Sequence, residues 1–284
     1  MEQQQAIEMK YHEQKIQERN EHDRLYGKQI KQRKAEEKKQ AEERKKKQEA
    51  LALKYKNKKP LILDENNNMW TAIESNNMDM LERISLYYPK NLRNKQKTQK
   101  NTAIHWCVKH NRAEMIRFLI PLIPKYLNTQ NFYGNTPVML AVFDSNMECI
   151  EALHSSKKYK CDLDIRNIYG RTPLMKACMN NQINIVKYFL ANNTPSLDIQ
   201  DKQNQSALLY AIEHKRDKIV NILVSKGAKT NIKNNQGHTG IDKAKGIKTK
   251  IALEQGKLKS NVNVLNSINW IKKLDNTNKN ELNN

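Results

Sequence analysis

The sequence predicts an all-α solenoid of stacked helix-turn-helix units with short hairpin-like turns, preceded by a long charged N-terminal helix. Three observations carry that reading. A four-residue motif recurs as Thr102-Ala103-Ile104-His105, Thr136-Pro137-Val138-Met139, Thr172-Pro173-Leu174-Met175, Ser206-Ala207-Leu208-Leu209 and Thr239-Gly240-Ile241-Asp242. Its first residues are 34, 36, 34 and 33 apart, the spacing of a stacked helical repeat. The first 59 residues are a different material, dominated by Glu, Gln, Lys and Arg, with Gly27 as their single glycine. A stack of such units builds an open surface rather than an enclosed substrate pocket, and a surface implies a partner.

Each unit has the same internal grammar. The Thr or Ser hydroxyl can accept a hydrogen bond from a free amide of the first helical turn. Pro137 and Pro173 follow at the first helical position, where a missing N–H costs nothing. Five residues after each Thr or Ser comes a small side chain (Cys107, Ala141, Ala177, Ala211, Ala244), which lets neighbouring helices approach closely. A second helix then shows apolar residues at helical spacing, as in Ile183-Ile185-Val186-Phe189-Leu190 and Ile219-Val220-Ile222-Leu223. Gly227 suits a left-handed cap on the latter. Two residues before the motif stand Gly134, Gly170 and Gly237, replaced by Lys100 and Asn204 in the other units. Three residues earlier again stand Asn131, Asn167, Asp201 and Asn234. Gly supplies positive φ and Asn or Asp bonds its own backbone, so these are turns.

At this point the resemblance is to the ankyrin repeat family. Asn131-Phe132-Tyr133-Gly134-Asn135-Thr136-Pro137 is similar to the start of that family's consensus and Lys226-Gly227-Ala228-Lys229-Thr230-Asn231-Ile232 to its end. Five units are recognisable between about residues 97 and 256. A sixth, degenerate one is expected ahead of them, where Ala72 lies 35 residues before Cys107 and Met78-Asp79-Met80-Leu81 matches Met147-Glu148-Cys149-Ile150. The domain reading is an arm over 1–59, repeats over 60–256, and a Lys/Asn-rich segment over 257–284. That last segment holds an amphipathic candidate from Val262 to Leu274, which either caps the last repeat or is offered to a partner.

Net charge is +21, and residues 28–59 hold 14 Lys or Arg against 5 Glu. The arm is either a solvated spacer helix or an electrostatic arm for an acidic partner, with Lys38, Lys39, Arg44, Lys45, Lys46, Lys47, Lys58 and Lys59 as the polyanion-binding candidates. Lys45-Lys46-Lys47 and Lys56-Asn57-Lys58-Lys59 could also serve as a nuclear localisation signal. Its apolar residues are too sparse for a sustained heptad.

In the ankyrin fold the turn tips and the inner face of each first helix share one concave surface. The resemblance therefore places Phe132, Tyr133, Phe143, Ile168, Tyr169 and Met179 on it, at positions that other repeats fill with polar residues. Exposed aromatic clusters of this kind mark interaction sites. The alternative is that they pack under the arm or the C-terminal helix.

Nothing points to catalysis. No metalloprotease, nucleophile-elbow, phosphate-loop or dinucleotide-binding pattern occurs. The resemblance gives His105 a structural role, stitching adjacent turns, while His110 and His214 recur at corresponding points and read as surface residues. Cys107, Cys149, Cys161 and Cys178 lack paired spacing and read as reduced thiols. No apolar run is long enough for a membrane span, and the N-terminal residues have no apolar core of a secretory leader. The expectation is a non-catalytic adaptor or scaffold, without cofactor or metal, in the cytoplasm, acting as a monomer or within a larger complex. The alternatives are a microtubule-, cytoskeleton- or cilium-associated structural protein and a nuclear protein. Nucleic acid is disfavoured because the basic residues are not interleaved with aromatics.

Overall fold

The computed structural model describes residues 68–156, 158–192 and 195–244, the arm residues 30–58 apart from 33 and 40, and positions 24, 63, 64, 249–251 and 253. The chain divides into two compact units, Met1–Pro60 and Leu61–Asn284. In the first, residues 41–54 form a continuous helix and 34–39 are helical as well. Lys45 and Glu49 lie 3.9 Å apart along it, an exposed pair worth about 0.3–0.5 kcal/mol at most.

The second unit consists, among the described residues, of helices and turns with no strand. The helices are α1 (Met69–Glu74), α2 (Met78–Tyr87), α3 (Ala103–Lys109), α4 (Ala113–Leu119), α5 (Pro137–Phe143) and α6 (Met147–His154). They continue with α7 (Pro173–Met179), α8 (Ile183–Asn192), α9 (Ala207–Glu213), α10 (Asp217–Ser225) and the short α11 (Gly240–Lys243). Each odd-numbered helix up to α9 packs on the even-numbered one that follows it. The odd-numbered helices also pack on one another from α1 through to α11, forming a continuous row. The small residues Ala72, Cys107, Ala141, Ala177 and Ala211 are fully buried in that row, as close helix approach requires.

Capping fixes where the helices begin. Thr102, Thr172, Ser206 and Thr239 accept from the amide three residues on. Asn68 does the same for α1, in a capping box with Thr71. Thr136 departs from the pattern: among the described residues its buried hydroxyl has no hydrogen-bond partner, although Pro137 follows it at the first helical position.

The loop between paired helices has a single solution used five times. Asn76, Asn111, Ser145, Asn181 and Lys215 all take positive φ, between 55° and 59°. The next residue's amide then reaches back to the small residue of the preceding helix, as in Arg112 N to Cys107 O and Arg216 N to Ala211 O, 2.8 and 2.7 Å. This is the Schellman termination, which satisfies carbonyls that the helix end leaves free. Gly227, with φ 92°, ends α10 in the same way.

The turns before the odd-numbered helices are clasped by one side chain each. Asn131 Oδ1 accepts from the amides of Tyr133 and Asn135, and Asn167, Asp201 and Asn234 repeat the arrangement. Successive turns are joined by single backbone bonds: Phe132 N to Gln99 O, Ile168 N to Tyr133 O, Lys202 N to Tyr169 O and Asn235 N to Gln203 O. One bond per junction is too few to build a sheet, which explains the hairpin-like turns without strands. Approach is closest at Gly134 and Gly170, where an added Cβ would stand 2.7 Å from the next turn's backbone nitrogen.

Candidate functional site

The turn clasp determines what faces solvent. Because Asn131 and Gly134 turn inward and are buried, the two residues between them must project from the tip. Phe132 and Tyr133 are accordingly 60% and 45% exposed, and Ile168 and Tyr169 on the next turn 44% and 56%. Phe132 and Tyr133 meet edge to face at 5.5 Å. Phe143, at the C-terminal end of α5, is 65% exposed, whereas Met179 at the corresponding place on α7 is half-buried. The other repeats carry Lys202 and Gln203, or Asn235 and Gln236, at their tips, so the apolar tips belong to two adjacent units.

Three residues of this face escaped the sequence reading. Arg171, at the exit of the second apolar turn, places its guanidinium 5.6 Å from the Tyr169 ring and 5.3 Å from the Tyr210 ring. Its Nε donates to Tyr210 Oη at 3.0 Å and lies 3.5 Å from Asp201 Oδ2, while Tyr210 Oη donates to the same carboxylate oxygen at 2.5 Å. Burial and the Asp201 bond push the Tyr210 phenol up to about 12, so it stays a donor. Lys176 on α7 sits 5.7 Å over the Phe143 ring. Burial first, and Arg171 second, lower its pKa. The available signal was positional, since Lys176 occupies a place that Trp106, Leu140 and Tyr210 fill in neighbouring units.

His105 is fully buried. Its Nε2 lies 3.0 Å from Asn135 O, a pure acceptor, so that nitrogen carries the proton, and Nδ1 accepts from Thr102 N at 3.2 Å. It thus ties one turn to the next. His214 is exposed, but His110 is not a presented surface residue: it is half-buried, 4.9 Å from the Trp106 ring. His154 ends α6 and, with Ser156, Tyr159, Cys161, Tyr188 and Asn192, lines a cavity of about 210 Å³. The four cysteines are buried thiols outside any disulfide. Burial raises all four thiols, Cys149 to about 11 and Cys161 to about 12, which leaves no thiolate nucleophile at neutral pH. Among the described residues no cluster of His, Cys, Asp and Glu could hold a metal ion, and no helix is long and apolar enough to cross a membrane.

In the arm, Lys38, Lys39, Lys45, Lys46 and Lys58 are exposed and Arg44 and Lys47 half-buried. Lys59 and the amphipathic segment 262–274 lie outside the described residues.

A family model for ankyrin repeats, spanning three copies, matches residues 69–167 and again 146–234. Comparison with curated proteins finds no match. Among solved structures, the ankyrin repeat protein EF0377 is 24% identical with a TM-score of 0.56, over 69% of this chain and 97% of its own. An ankyrin repeat domain from Acinetobacter baumannii AYE is 19% identical with a TM-score of 0.58, over 69% and 98%. The ankyrin repeat domain of Bcl-3, a member of the IkappaB family, is 20% identical with a TM-score of 0.50, over 68% and 100%. At these identities the likeness is one of fold, and it agrees with the repeat motif, the row of first helices and the clasped turns. The chain belongs to the ankyrin repeat family.

Proposed function

We propose that this chain is a non-catalytic adaptor that holds a protein partner against the turn tips and inner helix ends of its third and fourth repeats. Ankyrin repeats are in general protein–protein interaction modules, which sets the class. The observation that carries the finer reading is the exposure of Phe132, Tyr133, Phe143, Ile168 and Tyr169 on two adjacent units, at places where the flanking units are polar. Aromatic side chains dominate interface hot spots because they bury large area with few torsions to freeze. The basic residues of 28–59 serve in this reading as an arm that accelerates encounter with an acidic partner in the cytoplasm.

The test is affinity capture from the native cell with the full chain and with a Phe132→Ala, Tyr133→Ala, Tyr169→Ala variant. The principal captured protein should be lost from the variant while the helical circular dichroism is unchanged. Undiminished capture sinks the reading.

A second reading is favoured by the charge of the arm: docking on a cytoskeletal filament, with an acidic polymer surface such as that of a microtubule as the partner. Co-sedimentation over a salt series separates the two. Filament docking requires binding at low salt that fades as ionic strength rises and that is lost on deleting 28–59.

A further inference from the structure

The register of the repeats exposes a missing counter-ion. Lys243 of α11 and Lys176 of α7 occupy the same place in their units, four residues after Thr239 and Thr172. Lys243 is neutralised by Glu213, 3.3 Å away on the preceding first helix. The residue of the third repeat that corresponds to Glu213 is Phe143, whose ring lies under the Lys176 ammonium. Among the described residues no carboxylate comes within salt-bridge distance of Lys176. Its neighbour Arg171 spends Nε on Tyr210 and Asp201, but neither Nη group makes a hydrogen bond among the described residues. Four N–H donors of a planar fork therefore remain available near a half-buried Lys176, among the rings of Phe143, Tyr169 and Tyr210.

We infer that Arg171 and Lys176 form a carboxylate seat inside the aromatic docking face, and that the partner enters it with an acidic side chain flanked by apolar ones. This rests on the proposed docking face and names the chemistry the face selects. A guanidinium fork matches a carboxylate in two parallel bonds, and the ammonium adds a point charge. The surrounding rings and the half-buried position lower the local dielectric, which strengthens the attraction relative to an exposed pair. Within the chain, the Glu213–Lys243 pair is the same contact made internally. Asp144, next to Phe143, does not substitute for it, since no ion pair joins it to either cation among the described residues.

The experiment is selection of a random linear-peptide phage library on the full chain, followed by affinity measurement with one synthetic winner. Wild type should enrich peptides with Asp or Glu beside aromatic or aliphatic residues. Lys176→Gln should weaken the winner by about tenfold or more, the worth of one hydrogen bond to a charged group. Lys176→Glu should shift selection toward Lys or Arg, with the same denaturation midpoint and circular dichroism as a check on folding. Winners that need Phe132, Tyr133 and Tyr169 but lack acidic residues, or that bind Lys176→Gln equally well, overturn the seat and leave the docking face standing. No winner above background, or winners indifferent to the loss of the three aromatic rings, overturns both.

Discussion

Asp201→Ala is expected to cost about 3–5 kcal/mol, the range for removing one partner of a buried ion pair. The carboxylate is almost completely buried and holds four groups at once. It accepts from the amides of Gln203 and Gln205 at 2.9 Å each, from Tyr210 Oη at 2.5 Å, and faces Arg171 Nε at 3.5 Å. Truncation leaves two turn amides and a phenol as unpaired donors and Arg171 without its counter-charge. Asp201→Asn is the informative control. Asn occupies the same place in three other turns, as Asn131, Asn167 and Asn234, and there its oxygen makes both amide bonds. The Asn variant should keep both turn amide bonds on Oδ1 but put an amide NH2 where Oδ2 accepts from Tyr210 Oη and faces Arg171, costing about 1.5–3 kcal/mol. Urea denaturation followed by circular dichroism measures both. An Asn variant as unstable as the Ala variant would show that the Oδ2 contacts with Tyr210 and Arg171, rather than the turn clasp, are the dominant element.

Acid should unfold this protein through His105 before its carboxylates are fully protonated. Burial lowers the imidazole from its ordinary 6.5 to about 4, against a smaller raising effect from the Asn135 carbonyl. The unfolded chain thus binds a proton that the folded one refuses. Stability is fully present above about pH 6.5 and falls as pH descends toward 4, by about 2–3 kcal/mol at pH 4.5 at 1.36 kcal/mol per pKa unit. His154 and His110, also lowered by burial, add loss of the same sign as pH falls below the ordinary imidazole value. His105→Gln removes the largest of these contributions. Its stability at pH 7.5 should be lower than wild type, but its further drop between pH 7.5 and 4.5 should be smaller by about 2–3 kcal/mol. Parallel drops in the two proteins would mean that His105 titrates normally in the fold.

The fold was legible wherever the chemistry is local. A hydroxyl cap followed by Pro, and Asn three residues ahead of Gly, act within a single turn, so the motif at Thr172 announces α7 before any packing is considered. The positive-φ loops were not legible: Asn76, Asn111, Ser145, Asn181 and Lys215 share a conformation without sharing a glycine. The Schellman bonds to the small residues behind them are what hold non-glycine residues there. Lys100 and Asn204 make the same point in the outer turns, with φ 54° at places where other units have Gly. The projecting tips could be anticipated, because a clasped turn fixes which side chains are left outside. The cationic seat could not, since Arg171 meets Tyr210 39 residues on and Lys176 meets Phe143 33 residues back. Only laying the repeats in register shows that Phe143 stands where Glu213 stands.

Where the partner sits can be measured on the complex itself. Amide hydrogen exchange of the full chain should be compared free and bound to the protein it captures. The account predicts slowed exchange at the tips around Phe132–Tyr133 and Ile168–Tyr169, and at the helix ends around Phe143 and Met179. Exchange in α4, α6 and α10 should be unchanged. Protection confined to those second helices or to residues 28–58, with both tips exchanging as in the free chain, would contradict it.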